Sequence, residues 1–412
     1  MKRSYLFVNL ILLFLGGVLL VRGELSNENL LPVHHGKDAY APSAGFGKNF
    51  FLIVWQSGRF APGDITQGLT PDGDIVGCRV DIDGKIVDQT PFAICQAKDL
   101  QERPRIAYGN GVFLVVWQDL RNEKDWDIYG ARITPEGKVL DSGGFLIIGG
   151  NHNQALPDVT WDGENFWIVW QDFRSGDFYE VYGIRVSSEG KILDREGILL
   201  DSGIKNDWHC YAPATASAGT GKSFNLWVLK GDAVVYHKTP DSRGCIVSDG
   251  KITIGPIDYK EKGHGPAGNA NPVSLAASPD KYMAVWRTDY HASRGAAPGE
   301  STAALFDTQG KRIKSFFLAG KPHRIDAPEV CWDGKCFVAV WHENGAPRGK
   351  PVFDVLYAAR ILPTGEVEGG SAFFISGTFE SPAKEGTVAS NGAGTTIIAY
   401  EKHPEKADIL FI

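Results

Sequence analysis

Histidine is the residue of this chain whose placement most directly suggests chemistry. Ten histidines are present, and most fall in polar loops between apolar runs. His209, His264 and His323 lie in three successive loops of the same kind. Three neutral imidazoles that point to one centre leave a fourth position open, which suits zinc or a similar divalent ion. The sequence therefore suggests a metal site at these three residues.

The same loops contain groups that could act on a substrate. The candidate catalytic residues are His264, His291, His323, His342, Tyr290 and Arg287. An imidazole or phenol could remove the proton beside a uronic acid carboxylate while an arginine neutralises the charge. This would be a lyase reaction by β-elimination. The alternative is that histidine is common in these loops only because the loops are polar, without a functional role.

A third group of residues could bind a ligand without catalysing a reaction. Its members are Arg121, Arg174, Trp126, Tyr179, Tyr211 and His152. Aromatic rings offer stacking and polar edges offer hydrogen bonds, as a glycan or a protein would require. Both arginines follow an aspartate, Asp119 or Asp172, in two copies of a repeat. Such recurrence favours a structural pairing over a ligand contact, in which these aspartates pair inside each blade with arginines of the neighbouring third strand. Those arginines share one position of the repeat, at Arg79, Arg132, Arg185 and Arg360.

The elements that position these residues come from the repeat itself, which recurs about every 55 residues. Each copy has a strand ending in tryptophan or its stand-in, at positions 55, 117, 170, 227, 286, 341 and 400, and a later turn glycine. Each copy reads as four strands, A to D, joined by tight turns. This pattern predicts an all-β, seven-bladed β-propeller over residues 24–412, with four-stranded antiparallel blades.

The ends of the chain predict how the ring closes. The seventh copy stops after its third strand, so an N-terminal strand at Asn29–Val33 is expected to complete the last blade. The loops between strands B and C and between strands D and A vary in length and emerge on one face. Variable loops on a rigid scaffold commonly carry function, and at least nine of the histidines fall on this face.

The first 23 residues indicate export. Lys2 and Arg3 precede an apolar run, as in a cleaved secretory signal peptide. An uncleaved anchor is the alternative. The protein is therefore expected to be secreted or periplasmic, with no membrane span in the mature chain. Cleavage changes the net charge from −7 to −10, and no basic stripe appears, so nucleic acid is not an expected partner.

The six cysteines form three pairs that are each local to one blade. They are Cys78 with Cys95, Cys210 with Cys245, and Cys331 with Cys336. Because exported proteins can keep disulfides, these pairs are predicted to be bridged. Free buried thiols are the alternative.

One run of the chain resembles a known group. Pro157–Asp194 carries the pattern P-x-V-x-W-D-G-x-N-F-x-x-V-W-Q-D-x-R, then Y-G-x-R-V and G-K-x-L-D. This resembles the repeats of secreted bacterial β-propeller proteins. The resemblance implies fold and export, no settled activity, and no catalytic residue. We therefore expect a monomeric secreted propeller that binds an extracellular glycan or protein with its histidine-rich loop face. The alternative is a polysaccharide-degrading enzyme of the lyase type.

Overall fold

The chain is described by a computed structural model. It describes residues 28–32, 38–58, 73–202, 208–231, 242–259, 273–287, 302–318, 326–345, 353–378, 381–402 and 408–411. The predicted signal peptide lies outside them. The expectation of an all-β propeller with four-stranded antiparallel blades is confirmed, because the described residues form seven four-stranded antiparallel sheets and one short 3-10 turn, Glu368–Gly370.

The first three sheets follow one another along the chain. The first contains β2 (Ala39–Gly47), β3 (Phe50–Ser57), β4 (Asp74–Asp81) and β5 (Phe92–Cys95). The second contains β6 (Gln101–Gly109), β7 (Val112–Asp119), β8 (Asp127–Ile133) and β9 (Phe145–Ile148). The third contains β10 (Gln154–Trp161), β11 (Phe166–Asp172), β12 (Glu180–Val186) and β13 (Ile198–Ser202).

The remaining sheets repeat this order. The fourth contains β14 (Trp208–Ala216), β15 (Lys222–Gly231), β16 (Ser242–Ser248) and β17 (Lys251–Tyr259). The fifth contains β18 (Val273–Ala277), β19 (Lys281–Trp286), β20 (Ala303–Asp307) and β21 (Arg312–Phe316). The sixth contains β22 (Asp326–Trp332), β23 (Phe337–Gly345), β24 (Phe353–Ile361) and β25 (Phe373–Ser376). The last contains β26 (Ala383–Ser390), β27 (Thr396–Lys402), β28 (Asp408–Phe411) and β1 (Asn29–Leu30).

The sheets are arranged in a ring. The first strand of each sheet contacts the first strand of the next, and β26 contacts β2. These seven strands therefore surround a central channel, and we number the blades 1 to 7 in the order just given. Connections from strand B to C and from strand D to the next strand A share one end of the channel, which we call the loop face.

The second strand of each blade is buried on both sides. All seven residues of β11 are buried, and its tryptophan has counterparts at Trp55, Trp117, Trp227, Trp286, Trp341 and Tyr400 that are almost fully buried. The apolar clusters join the strands of neighbouring blades. A strand that is apolar on both faces suits this packing, because each face meets another sheet.

The recurring aspartates and arginines support the blades, as the sequence suggested, but the partners differ from the expected ones. Asp119 accepts a hydrogen bond from Trp117 Nε1 at 2.8 Å and pairs with Arg121, two residues along the chain, at 2.6 Å. Asp172 does the same with Trp170 and Arg174. The third-strand arginines instead bind acids that follow them in the same blade, as in Arg79–Asp88, Arg132–Asp141 and Arg185–Asp194.

Within the described residues, a β-bulge with a residue at positive φ is seen in six inner strands; in blade 5 the residues before Val273 are not described. The residues at positive φ are Ala41, Arg103, Leu156, Ala212, Ala327 and Glu385, with φ between 39° and 54°. A side chain other than glycine in this region costs about 1–3 kcal/mol and persists only where the surroundings impose it.

A side chain from the preceding blade holds several of these bulges. The backbone N–H of Leu156 donates to Gln118 at 3.1 Å, and that of Ala212 donates to Gln171 at 3.0 Å. Both glutamines directly follow the strand-B tryptophan. In the later blades, Glu385 N donates to His342 Nδ1 at 3.4 Å, and Ala41 N donates to Glu401 at 2.7 Å. We call the position after the strand-B aromatic residue the latch position.

The N-terminal strand completes blade 7. Asn29 pairs with Phe411 and Leu30 with Leu410, so the strand is shorter than the predicted Asn29–Val33. Beside it, the carboxylate of Glu28 accepts hydrogen bonds from Tyr400 and Ser376 at 2.5 Å and from Lys402 at 2.7 Å. Leu31 is 2% exposed and packs in the core between blades 7 and 1. This segment therefore ties the two ends of the chain together.

The prediction of disulfides is wrong, since all six cysteines are free. Cys95 lies opposite Ile75, three residues from Cys78. The two thiols consequently point into different cores, with Cys78 beside Phe51 and Cys95 beside Phe113. Adjacent strands alone do not make a bridge, because both Cβ atoms must also face each other.

The other two cysteine pairs fail for related reasons. Cys210 on β14 and Cys245 on β16 are separated by the intervening strand β15, which places them about 10 Å apart laterally. Cys331 lies opposite Val338, whereas Cys336 sits in the hairpin turn before Phe337.

Within the residues described here, no helix is long and apolar enough to cross a membrane.

Leu31 and its neighbour Leu30 provide a test of the closure. Replacing buried Leu31 by alanine is expected to lower the free energy of unfolding by about 2–5 kcal/mol. Leu30 is 53% exposed, so the same change there should stay within about 0.5 kcal/mol. Urea unfolding of both variants measures the difference. Equal effects would show that the N-terminal segment does not anchor blade 7.

Candidate functional site

Five rings on the loop face of blades 3 and 4 form a continuous cluster. Phe173, Phe178 and Tyr179 come from the loop between β11 and β12, whereas His209 and Tyr211 begin β14. Tyr179 contacts Phe173 at 4.6 Å and Tyr211 at 5.1 Å between ring centroids. His209 stacks on Tyr211 at 5.4 Å and contacts Phe178 at 5.2 Å. We call these five residues the aromatic cluster.

The cluster is half-buried, so its rings are packed against one another and still reach solvent. The backbone N–H of Tyr179 donates to His209 Nδ1 at 3.1 Å. A neutral imidazole that accepts at Nδ1 carries its proton on Nε2. The same arrangement leaves His209 without a lone pair for a metal ion.

Other residues from the sequence prediction lie beside this cluster. His152 contacts Phe173 at 5.8 Å, and Trp126 and Tyr211 both pack on a small core of Ala155, Leu156 and Ala212. The structure thus brings Trp126, His152, Tyr179 and Tyr211 to one region of the loop face. It does not bring Arg121 and Arg174 there as free groups, because each is paired to its aspartate and stacked on a tyrosine ring 3.9 Å away.

Several predicted site residues cannot be placed. His264, His291, His323 and Tyr290 lie outside the described residues. Among the residues that the structure does describe, no group of three or more histidines, cysteines, aspartates or glutamates could hold a metal ion. Of the residues proposed for catalysis, His342 and Arg287 remain, and both line one cavity.

This cavity occupies the channel on the loop face, beside blades 5 to 7, 1 and 2. We call it the mouth cavity, and its volume is about 340 Å³. Its lining residues are Ala41, Pro42, Arg103, Pro104, Arg105, Arg287, Ala327, Glu329, His342, Asp354, Lys384, Glu385 and Gly386. Most of the side chains that reach it are ionisable, which is unusual for a cavity of this size and suits a polar ligand.

An ion pair across the channel forms the floor of the mouth cavity. Arg105 of blade 2 binds Glu329 of blade 6 at 2.6 Å, and Ser274 donates to the other oxygen of Glu329 at 3.0 Å. Both charged residues also line a deeper cavity of about 450 Å³, so the pair divides the channel. Burial opposes the charge of Arg105, but Glu329 and Asp158 raise its pKa above the ordinary value.

Two acids near this pair hold protons unusually tightly. Burial raises the pKa of Asp158 to about 6, against the opposing effects of Arg105 and the Thr215 N–H. Burial, and then the neighbouring Glu401, raises the pKa of Glu385 to about 7, with Arg103 and His342 offsetting part of the shift. Glu385 is deep in the channel, yet its surface is only half-buried because it faces the mouth cavity. A cavity carboxyl that stays protonated near neutral pH can donate a proton.

Sequence reasoning missed most of the mouth cavity. Nothing in the sequence groups Glu385, Arg103, Arg105, Glu329 and Asp354, because they come from three different blades and meet only in the closed ring. A usable signal was present in the residue that follows each inner-strand bulge, namely Ser43, Arg105, Asp158, Ala214, Glu329 and Thr387. Five of these six residues, all except Ala214, line the deeper channel cavity, and the residue type differs from blade to blade.

The protonation of Glu385 predicts how stability depends on pH. The folded state holds a proton up to about pH 7, whereas the unfolded carboxyl releases it near its ordinary pKa of 4.5. Folding stability from this group therefore falls as pH rises from about 4.5 to 7. Glu385→Gln removes that fall. The melting temperature of the variant minus that of the parent should therefore be larger at pH 8 than at pH 5.

Glu136→Gln is the control, because Glu136 is exposed and its pKa is lowered by Lys48, which places its titration below this window. Thermal melts of the three proteins at pH 5 and pH 8 provide the comparison. If the melting temperatures of the parent and of Glu385→Gln changed by the same amount between pH 5 and pH 8, the raised pKa of Glu385 would be contradicted.

Comparison with known proteins supports the architecture. No protein-family model matches the sequence, and no curated protein matches it. A protein of unknown function from Dyadobacter fermentans is 11% identical, with 93% of this chain and 96% of that chain covered and a TM-score of 0.52. A GH93 α-L-arabinofuranosidase of Fusarium graminearum, solved with arabinobiose, is 11% identical, with 81% and 97% covered and a TM-score of 0.50. At this identity the similarity establishes the propeller fold alone.

Proposed function

We propose that this protein is a secreted propeller that binds an extracellular glycan on its loop face. The observation that carries the proposal is the aromatic cluster, which places five contacting, half-buried rings beside the channel mouth. The C–H faces of sugar rings pack on aromatic rings, while tyrosine hydroxyls and imidazole N–H groups bond to sugar hydroxyls.

The mouth cavity extends this surface toward the channel axis. Leu156 and Ala212 pack under Trp126 and Tyr211 and also line the deeper channel cavity. That cavity meets the mouth cavity at Arg105 and Glu329, which line both. A glycan that lies on the aromatic cluster could place one end in the mouth cavity. The charged lining would then bond to the hydroxyl or carboxylate groups of that end.

The packing of the rings is well suited to binding. Phe173 packs on Tyr179, and Phe178 packs on His209. Because these contacts already restrict the two side chains, they lose little conformational freedom when a ligand binds. Preorganised contact surface improves affinity by reducing the entropy that binding must overcome. The bond from Tyr179 N to His209 Nδ1 further fixes the orientation of the imidazole ring.

Tyr211→Ala tests the proposal in affinity gels that contain soluble arabinan, xylan or polygalacturonate. We expect the parent to be retarded by at least one of these polysaccharides, and Tyr211→Ala to bind it at least about tenfold more weakly, because loss of one aromatic contact commonly costs more than 1 kcal/mol. Phe374→Ala is the matched control, since Phe374 is 53% exposed on the outer strand of blade 6.

The outcomes separate clearly. Retardation that is lost in Tyr211→Ala and kept in Phe374→Ala supports a glycan site at the aromatic cluster. Equal binding by all three proteins would place the site elsewhere. No retardation by any of the polysaccharides would count against the glycan function as such.

A further inference from the structure

Arg103 and Glu385 occupy the same position of the repeat, the bulge residue at positive φ, in blades 2 and 7. The residues at this position in the other described bulges are apolar, namely Ala41, Leu156, Ala212 and Ala327. An alanine or leucine therefore satisfies the bulge, and the backbone does not require a charge there. Both charged residues line the mouth cavity, so the repeat departs from its apolar pattern at a place that a ligand can reach.

Two cationic side chains of the mouth cavity have no acid of their own. Among the described residues, no carboxylate forms an ion pair with Arg103 or Lys384, and both residues are half-buried beside the cavity. Arg103 is close enough to Glu385 to lower the pKa of that carboxyl. Because a partly buried charge without a partner is unfavourable, a ligand that supplies an anion would be stabilised here.

The other charged residues of the lining balance one another. Arg105 is paired with Glu329 at 2.6 Å. Arg287 and Asp354 contribute one charge of each sign, and both have further interactions of their own. These four residues therefore add no net charge to the cavity.

The proton of Glu385 then decides the sign of the cavity. Arg103 and Lys384 contribute two positive charges, and Glu401 behind the lining contributes one negative charge. The cavity is therefore positive by one charge while Glu385 is protonated, and neutral once Glu385 ionises. The whole chain is acidic, with a net charge of −7, so a positive cavity is a local feature that favours an anionic ligand.

We propose that the mouth cavity binds the carboxylate of an acidic sugar, with Arg103 and Lys384 attracting its charge and the protonated Glu385 donating a hydrogen bond to it. This inference rests on the proposed glycan function and names the class of glycan as one that contains uronic acid. A planar guanidinium matches a carboxylate, and a protonated carboxyl can donate to one. The cavity volume of about 340 Å³ is within the range of sites for small ligands.

The groups around Glu385 define how binding responds to pH. Burial, and then Glu401 of β27, raise its pKa to about 7, whereas Arg103 of β6 and His342 of β23 lower it, and Lys384 precedes it on β26. A bound carboxylate adds a negative charge, which favours the protonated form further. The affinity should therefore fall as pH rises through the titration of Glu385. The remaining charged residues of the same cavity are Arg105, Arg287, Glu329 and Asp354.

The first experiment compares ligands for the full chain in affinity gels. The gels contain polygalacturonate, alginate or hyaluronan, or the methyl ester of each, which keeps the sugars and removes the charge. We expect retardation by at least one uronate polymer, and at least about tenfold weaker binding of its ester, as expected for loss of a hydrogen bond to a charged group. Dextran sulfate, which is anionic but has no carboxylate, should bind as weakly as the ester.

The second experiment uses Arg103→Ala. This variant should fold, because alanine has the same backbone conformation at Ala41, Ala212 and Ala327, and should bind the uronate polymer at least about tenfold more weakly. Lys48→Ala is the matched control. It removes one positive charge from a side chain that is 58% exposed, in the turn between β2 and β3 on the opposite face, and should leave binding unchanged.

The third experiment measures dissociation constants at pH 5 and pH 8. If only the protonated form binds, the parent should bind up to about tenfold more weakly at pH 8, because the competent fraction falls by that factor. In Glu385→Gln the amide still donates a hydrogen bond and does not titrate, so the difference between the two pH values should be lost. A pH response that persists in this variant would come from another group, such as His342, and would overturn the role of the Glu385 proton.

The remaining outcomes are also distinct. Retardation by neutral polysaccharides alone would overturn this inference and leave glycan binding intact. Equal binding of dextran sulfate and the uronate polymer, or equal binding by Arg103→Ala and Lys48→Ala, would overturn the carboxylate site. Failure to bind any polysaccharide, neutral or acidic, would instead count against the proposed function.

Discussion

The hydrogen bond between the latch position of one blade and the bulged backbone of the next is the contact on which the channel depends. Each bulge holds a residue at positive φ, which is unfavourable for residues other than glycine. In four of the six bulges the backbone N–H donates to a side-chain acceptor one blade earlier, as Leu156 does to Gln118. Because the bulge shifts the register of the inner strand, it also decides which side chain enters the channel. The same interaction therefore joins neighbouring blades and decides which side chains line the channel.

Repetition makes it possible to separate structural residues from functional ones within a single chain. The pairs Asp119–Arg121 and Asp172–Arg174 recur with the same tryptophan bond and the same tyrosine stacking, so their arrangement serves the blade. By contrast, Glu385 and Glu401 occur together in blade 7 alone among the described inner and second strands. A costly buried carboxyl that the repeat does not need is a candidate for function.

The loop face combines two chemically different regions. Blades 3 and 4 present rings that pack against each other, whereas blades 5 to 7 and their neighbours present charges around a cavity. Rings attract the apolar faces of a ligand with little directional demand, and buried charges act only on a group placed within bonding distance. Leu156 and Ala212 pack under the rings and line the deeper channel cavity, which shares Arg105 and Glu329 with the mouth cavity.

The sequence by itself determined the all-β propeller, the buried strand-B tryptophans, the strand that the N-terminus adds to the last blade, and the loop face as the place for Trp126, Tyr179 and Tyr211. These follow from local periodicity and turn chemistry, which a linear pattern preserves. Only the tertiary structure decided that the cysteines stay apart, because Cys78 and Cys95 face different cores. It alone revealed the channel acids as well. Glu385 lies next to Arg103 and Glu401 only after the ring has closed, and the burial that raises its pKa is a property of the closed channel rather than of any segment.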